Sequence, residues 1–178
     1  SHYVTEDSAL DKEALARGCS TYVTDRVVPM LPHELSNGIC SLNPYVERLT
    51  LTCQMNVNHS GKIEEYSIYP SVIRSTERMT YANVNKILDG DEKLQEQYKH
   101  LGNLFFDLRD CADAIRANRT AKGAIDFDGT ETVVEVDEKG RPIDVHARMS
   151  GHAERMIEDC MIAANVSVAN YMKWLDVP

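Results

Sequence analysis

The stretch RLTLTCQMNVNHSG at residues 48–61 decides the fold class more clearly than any other part of the sequence. Apolar and polar residues alternate through its first nine positions, as in a strand with one buried face. The NHSG segment at 58–61 supplies a tight turn, with glycine available for a positive φ. We therefore predict an antiparallel hairpin with strands over 48–56 and 62–75. Its predicted buried face carries Leu49, Leu51, Cys53 and Met55.

Apolar residues at spacings of three and four predict helices on both sides of this hairpin. Ser8 and Gly18 bracket a helix over 9–17, and Thr80 can cap a short helix that ends near Gly90. Two longer helices are predicted, over 92–119 and 152–174. The predicted apolar faces comprise Leu94, Tyr98, Leu101, Phe105, Leu108, Ala112 and Ile115 in the first of these, and Met156, Ile157, Cys160, Met161, Ala164, Val168 and Tyr171 in the second.

The remaining segments read as turns, short strands and an extended loop. A second hairpin turn is predicted at 137–140 between strands at 133–136 and 143–147, and a further strand at 125–127. The two prolines within 27–32 predict an extended loop, and Ser36-Asn37-Gly38 a turn. Because hairpins require antiparallel pairing, the predicted class is α+β, with antiparallel hairpins or sheets packed against long helices.

Composition limits the functional classes. The formal net charge of −9 argues against broad nucleic-acid binding, although it leaves room for a narrow basic channel. No segment approaches the roughly 20 apolar residues of a membrane span, and no signal peptide is recognisable. The first residue is Ser, which together with an abrupt start suggests a chain cut from a longer one.

Local spacing reveals no complete catalytic or metal site. The five cysteines include no pair at zinc-site spacing, so reduced thiols of a cytosolic protein, several of them buried, are the expectation. Asp126 and Asp128 share a predicted strand face, but two carboxylates are weak grounds for a metal, and a structural role is favoured. Glu158 and Asp159 are adjacent acidic residues in the last predicted helix.

A basic stretch and two tyrosines are the candidates for RNA contact. A basic stretch lies toward the end of the predicted 92–119 helix and just beyond it, where cations suit either the helix dipole or RNA phosphates: Arg109, Arg116, Arg119 and Lys122. Tyr22 and Tyr81 lie in a loop and at a helix start, where a ring can stack on a base or pack in the core. Read residue by residue, the chain is a soluble α+β domain with a possible RNA surface.

Four blocks of sequence go further. They are DRVVPMLPHELSNGICSLNP at 25–44, RMTYANVNKIL at 78–88, Arg119 with KGAIDFD at 122–128, and ERMIEDCMIAAN at 154–165. In this order they closely resemble the catalytic (RNB) domain of the RNase II/RNase R family of 3′→5′ exoribonucleases, nearest the RNase R branch of Gram-positive bacteria. The resemblance covers nearly the whole chain, so residues 1–178 are expected to be an internal part of one such domain, truncated at both ends.

The resemblance implies a cytoplasmic, processive RNA-degrading hydrolase that releases nucleoside 5′-monophosphates with Mg²⁺. In the family, an aspartate cluster that binds two metals precedes the matched stretch and a catalytic arginine follows it. This piece would therefore contain neither catalytic residues nor metal ligands, and would be inactive alone. Implied partners are single-stranded RNA and the parent protein's own flanking RNA-binding domains, with no membrane.

The resemblance also implies roles for individual residues. Tyr22 would stack on RNA bases, Tyr81 would lie near the 3′-terminal nucleotide and help to set the final product length, and Glu158 would contact that nucleotide, where a carboxylate can accept from ribose hydroxyls. Arg119 and Lys122 would line the RNA channel. Where some members have a second clamping aromatic, Lys122 is flanked here by Ala121 and Gly123, so a two-sided clamp is not expected.

Two other hypotheses remain open from sequence. A non-catalytic single-stranded RNA-binding or interaction module of the same fold would bind RNA in a salt-sensitive way, with weaker binding after Tyr22→Ala. A structural piece with no activity of its own would not bind RNA at moderate salt.

Overall fold

The computed structural model describes residues 2–24, 26–125, 131–148 and 150–175. The chain divides into two compact units. The first comprises Ser1–Arg48, Arg74–Thr76 and Thr130–Arg148, and the second comprises Leu49–Ile73, Glu77–Gly129 and Met149–Pro178. Both contain helices together with antiparallel strands, so the predicted α+β class is confirmed.

The first unit begins with helix α1 (Ala9–Arg17). The Ser8 hydroxyl accepts a hydrogen bond from the Asp11 amide at 3.1 Å, and Gly18 ends the helix at φ +70°, as the sequence predicts. The two-residue strands β1 (Thr21–Tyr22) and β2 (Val27–Val28) pair antiparallel. Strands β5 (Glu131–Val136) and β6 (Pro142–Arg148) form the predicted second hairpin, with a register shift at Glu135/Val136.

Two sequence predictions in the first unit are wrong. Val27 and Val28 pair as a strand, although an extended loop was predicted over 27–32, because the prolines begin only at Pro29 and leave both valines free to bond. The predicted turn at 36–38 lies inside a π-helix, Glu34–Ile39. Arg48 reaches back to this segment and donates to the carbonyl oxygens of Ser41 at 2.9 Å and Gly38 at 3.3 Å.

Among its described residues, the second unit contains four α-helices and a long hairpin. Strands β3 (Glu47–Val57) and β4 (Ile63–Arg74) pair with each other and, apart from their outer ends, belong to this unit. Helices α2 (Tyr81–Leu88), α3 (Glu92–Gln97), α4 (Leu104–Ala121) and α5 (His152–Trp174) follow. Apolar side chains of α2, α4 and α5 form its core: Val84, Ile87, Phe105, Ala112, Ala153 and Met156.

The predicted single helix over 92–119 is wrong, although its apolar spacing is confirmed for Phe105, Ala112 and Ile115, which are buried. It is interrupted after α3 by a short 3₁₀ turn, Lys99–Leu101. The interruption follows from Gly102, whose φ of +56° and ψ of −135° lie outside the helical region. Only glycine adopts such a conformation at low cost.

Burial also departs from prediction on β3 and α5. Leu49 and Leu51 are 88% and 72% exposed, because alternation tells which residues share a face but not which face another layer covers. On the opposite face the strands are joined by hydrogen bonds between hydroxyl groups. The hydroxyl oxygens of Thr50 and Thr52 lie 2.7 and 2.6 Å from that of Ser71. On α5 the buried residues are Ala153, Met156, Asp159, Ala163 and Ser167, whereas Met161 and Tyr171 are exposed.

The hairpin tip packs directly on helix α4. Gly61 is buried, and a Cβ added there would lie 1.9 Å from the Ala114 carbonyl oxygen. The Asn118 side-chain amide donates to the Ser60 carbonyl oxygen at 3.0 Å. The turn therefore needs glycine both for its φ of +72° and for its close approach to the helix.

Candidate RNA-contact site

Tyr22 lies in the first unit, at the end of β1. Its β-bridge partner is Val27, and the turn beyond it is closed by the Val23 amide, which donates to the Arg26 carbonyl oxygen at 3.0 Å. The side chain is 79% exposed, so the core-packing alternative for this tyrosine is excluded. An exposed ring on a short hairpin is available to stack on a base.

Tyr81 is the first residue of α2, in the second unit. The Thr80 hydroxyl caps this helix by accepting from the Asn83 amide at 3.3 Å, as predicted. The cap fixes the backbone at the helix start, where the Tyr81 side chain is 44% exposed. Its ring can therefore pack on its own unit with one part and contact a ligand with the other.

Glu158 lies on α5, directly before the buried residue Asp159. Its side chain is exposed, while the next residue, Asp159, is 1% exposed. The helix thus presents one carboxylate to solvent and turns the adjacent one into the protein. An exposed carboxylate is acceptor-only when ionised and can receive hydroxyl groups of a ribose.

Arg119 and Lys122 lie at the end of α4 in different surroundings. Arg119 donates from Nη1 to Asp159 Oδ1 at 2.5 Å, and Arg116 donates from Nε to Asp159 Oδ2 at 2.8 Å. The Asp159 side chain is 2% exposed, and the side chains of Arg116 and Arg119 are 28% and 27% exposed. Lys122 is the exposed C-cap residue. Arg119 is therefore first a helix-to-helix ion-pair partner, with part of its guanidinium still reaching solvent.

A groove of about 270 Å³ lies beside these two cations within the second unit. The hairpin, α4 and α5 line it with apolar side chains that include Ile63, Ile115 and Ile162, and Arg119 and Lys122 also line it. The arrangement places positive charge next to an apolar surface, which suits a ligand with both phosphates and flat bases.

The structure brings four of the five candidate residues into one unit. Tyr81, Glu158, Arg119 and Lys122 belong to the second unit, and Arg119 is linked to the neighbour of Glu158 through the Asp159 ion pair. Tyr22 belongs to the first unit.

Sequence reasoning missed the polar residues that hold these helices together. Asp159 was noted only as the neighbour of Glu158, yet it receives both arginines of α4. A signal was present: Asp159 follows Met156 by three residues on the buried stripe of α5, where a carboxylate needs a cationic partner. Asn85 was not singled out at all, and it caps α5 from α2.

The cysteines are all free thiols, but the expectation that several of them are buried is wrong. Cys19 and Cys40 are exposed, and Cys53, Cys111 and Cys160 are half-buried. Burial raises the pKa of Cys160, and the neighbouring Cys111 and Asp159 raise it further. Since the thiolate is the reactive form, Cys160 is poorly suited to act as a nucleophile at neutral pH.

The described residues do not fit a divalent-metal site. Within residues 2–24, 26–125, 131–148 and 150–175, no three His, Cys, Asp or Glu side chains are grouped to hold an ion. The buried carboxylate Asp159 is already neutralised by guanidinium groups, which take the place a cation would need. Asp126 and Asp128 lie outside the described residues.

Comparison with known proteins decides the family. The sequence model of the RNB domain matches residues 1–178. The chain belongs to the RNB domain family. This confirms the resemblance of the four sequence blocks to that domain.

Relatives of this RNB domain are ribonucleases R. It is 49% identical over 178 residues to "Ribonuclease R 1" of Lactococcus lactis, matching 100% of this chain and 22% of that protein. It is 38% identical over 173 residues to "Ribonuclease R" of Escherichia coli, matching 97% of this chain and 21% of that protein. The higher identity to the Lactococcus protein agrees with the expected nearness to the Gram-positive branch. The chain spans about a fifth of the length of these relatives.

The fold of this RNB domain matches a solved relative. "Mycoplasma genitalium RNase R in complex with ribose methylated single-stranded RNA" superimposes with a TM-score of 0.86 at 35% identity, over 98% of this chain and 27% of that one. Among the described helices, none is long and apolar enough to cross a membrane.

Proposed function

We propose that this RNB domain is an internal part of a processive 3′→5′ exoribonuclease that hydrolyses RNA to nucleoside 5′-monophosphates in the cytoplasm. The observation that carries the proposal is the 49% identity to a ribonuclease R along the whole chain. Its support in three dimensions is the TM-score of 0.86 with an RNase R structure that contains single-stranded RNA. Residues 1–178 would form part of the wall of the RNA channel.

In this proposal each candidate residue has a task that matches its exposure. The exposed Tyr22 ring stacks on bases, and Tyr81 meets the 3′-terminal nucleotide and helps to set the final product length. Glu158 accepts from ribose hydroxyls, which is a chemical basis for preferring RNA to DNA. Lys122 and the exposed part of Arg119 contact phosphates.

The hydrolytic groups lie outside this chain in the proposal. Since the family resemblance places the aspartate cluster before the matched stretch, we assign the Mg²⁺ ligands to the rest of the parent protein and derive no step from them. Flanking domains of the parent supply further RNA binding, which reconciles an RNA function with the net charge of −9 on this chain.

Single-turnover cleavage of 5′-labelled oligoribonucleotides by the full-length protein tests these roles. The dependence of the cleavage rate on protein concentration gives the affinity for RNA. Tyr22→Ala should weaken RNA binding by about 1–3 kcal/mol, roughly 5- to 150-fold, through the loss of one stacked base. Tyr3→Ala is the matched control, since Tyr3 is another exposed tyrosine of the first unit, at 55% exposure, and should leave binding unchanged. If the two substitutions weakened RNA binding equally, the proposal that Tyr22 stacks on bases would be contradicted.

A second arm separates the proposed enzyme from a non-catalytic RNA-binding module. With Mg²⁺, the full-length protein should shorten RNA from the 3′ end. Glu158→Ala should lower the ratio of its cleavage rates on RNA and DNA. Binding without cleavage by the full-length protein would favour the module. Processive cleavage by residues 1–178 alone, co-purifying with the chain, would contradict the assignment of all hydrolytic groups to the rest of the protein.

A further inference from the structure

The start of helix α5 is capped by a side chain from another helix. Gly151 has no side chain to offer, although a Ser, Thr, Asp or Asn at that position could cap the helix locally. Instead Asn85 of α2 accepts through Oδ1 from the Ala153 amide at 2.8 Å. A local cap would stabilise only α5, whereas the cap from α2 also links α2 to α5 by a hydrogen bond.

Glu154 completes the junction. Its Oε2 accepts from the Gly151 amide at 3.1 Å and from Asn85 Nδ2 at 2.9 Å. The Asn85 side chain thus donates through one atom and accepts through the other, and both bonds go to the first turn of α5. Such a two-bond contact fixes orientation as well as distance.

The junction is tightly packed. A Cβ added at Gly151 would lie 2.3 Å from Asn85 Nδ2, so the backbone of α5 approaches the amide as closely as glycine alone allows. Asn85 and Glu154 are half-buried, and the adjacent residues Val84 and Ala153 belong to the apolar core. Sliding of α2 along α5 would break both hydrogen bonds and create a clash.

Both proposed end-reading residues lie one helical turn from this junction. Tyr81 precedes Asn85 by four residues on α2, and Glu158 follows Glu154 by four residues on α5. Residues four apart share one face of a helix, about 6 Å from each other along the axis. Any shift at the junction is therefore transmitted over a single turn to each of the two side chains.

We propose that Asn85 is a positioning residue that sets Tyr81 against Glu158 and thereby defines the length of the final product. The inference rests on the proposed function. The apolar core keeps α2 and α5 packed without Asn85, but it does not define their register, because apolar contacts are non-directional. The amide supplies that register.

The test uses the full-length protein and 5′-labelled single-stranded RNA, with the distribution of final product lengths as readout. Asn85→Asp removes the donor and sets two carboxylates against each other. We expect longer or mixed final products and a kcat lower by about tenfold, with KM within about twofold, since a displacement of about 1 Å can cost 10²-fold in rate. Asn85→Ala, which loses both bonds, should shift the products in the same direction.

A swap of donor and acceptor provides the rescue. In the N85D/E154Q double variant, the new carboxylate at position 85 can accept from the new amide at position 154 and still accept from the Ala153 amide. Because Glu154 Oε2 receives both the Asn85 bond and the Gly151 bond, the Gly151 amide must then bond to the oxygen of the new amide, which requires a small rotation of side chain 154. This variant should regain the wild-type product length, and E154Q alone should change it little. Failure of the double variant to restore the product length would overturn the positioning role.

Ser71→Ala is the matched control for stability. It removes a polar contact between strands β3 and β4, in which the Ser71 hydroxyl lies 2.7 Å from that of Thr50 and 2.6 Å from that of Thr52, and should leave the product length unchanged. The thermal stability of every variant is measured, and all assays are run below the lowest melting temperature. An equal change of product length in Ser71→Ala would attribute the effect to lost stability and refute the inference.

Tyr81→Ala and Glu158→Ala distinguish failure of the inference from failure of the proposed function. If both alter the final products and Asn85→Asp does not, the inference is wrong and the proposed function stands. If neither alters the products, the end-reading roles are wrong, and the positioning role is refuted with them.

Discussion

The hairpins β3–β4 and β5–β6 turn through the same hydrogen bonds in different surroundings. In the first, the Asn58 amide donates to the Lys62 carbonyl oxygen at 3.0 Å and the side-chain Oδ1 accepts from the Lys62 amide at 3.1 Å. In the second, the Asp137 amide donates to the Arg141 carbonyl oxygen at 2.9 Å and Oδ1 accepts from the Arg141 amide at 2.9 Å.

Glycine occupies the same place in both turns, Gly61 at φ +72° and Gly140 at φ +75°. In the part of the chain that the structure describes, only the first of these turns packs on a helix. A Cβ at Gly61 would meet the backbone of Ala114, whereas a Cβ at Gly140 would meet no atom within 4 Å. Local sequence therefore determines the turn, while its use as a packing surface depends on residues more than fifty positions away.

Replacement of the two glycines should give the largest difference. Gly61→Ala should cost about 2–4 kcal/mol in the free energy of unfolding, since it combines a left-handed backbone with a clash against helix backbone. Gly140→Ala meets only the backbone cost, about 1 kcal/mol. Urea denaturation followed by circular dichroism measures both. Similar losses at the two positions would mean that the packing of the hairpin on α4 is not as the structure has it.

The polar contacts of the two hairpins should differ less. Asn118→Ala removes the hydrogen bond from α4 to the Ser60 carbonyl oxygen and should cost about 1 kcal/mol. Arg141→Ala removes an ion pair with Asp137 at the surface and should cost less than Asn118→Ala, because solvent screens exposed ion pairs. The same denaturation experiment compares them, and a larger loss for Arg141→Ala would reverse the proposed ranking of packed and open turns.

Acid should weaken the turn at Asp137. The Arg141 amide holds the pKa of Asp137 below its ordinary value; burial opposes this lowering, and the Arg141 side chain and the Lys139 amide lower the pKa further. Because the folded pKa is the lower one, this stabilisation is present above the unfolded pKa, about 3.9, and is lost as the pH falls through the folded value. The corresponding contact of Asn58 Oδ1 with the Lys62 amide involves no titrating group, so it lacks this dependence.

Hydrogen-exchange protection of the Gly140 and Gly61 amides, measured between about pH 6 and about pH 3, checks this expectation. Gly140 should lose protection toward the acid end, and Asp137→Asn should abolish the dependence. Parallel behaviour of the two glycines would show that Asp137 does not control its turn.

Most of the secondary structure could be predicted because its signals are local. Ser8, Thr80 and the turn at 58–61 act on residues within four positions, and the structure confirms all three. The break at Gly102 was missed because a periodic apolar pattern continues across it. The exposure of Leu49 and Leu51 was missed because alternation carries no information about which layer lies on which face.

The candidate site was less accessible to prediction. Tyr22, Tyr81 and Glu158 came from the resemblance to a family, and the structure adds that all three are exposed; their roles stay predictions. The bond between Asn85 and Glu154 joins residues 69 positions apart, and that between Arg116 and Asp159 joins residues 43 apart. No local periodicity encodes such a pair, since each partner alone is an ordinary polar residue of a helix.

The junction at Gly151 also has an evolutionary consequence. Asn85, Gly151 and Glu154 come from two distant segments, but each limits the others through contact or hydrogen bonding. A mutation at one of the three leaves an unsatisfied polar group or a clash until another changes with it. Across related sequences these positions should therefore substitute together, as paired changes of donor and acceptor, and glycine at 151 should persist only where an amide from the second helix lies against it.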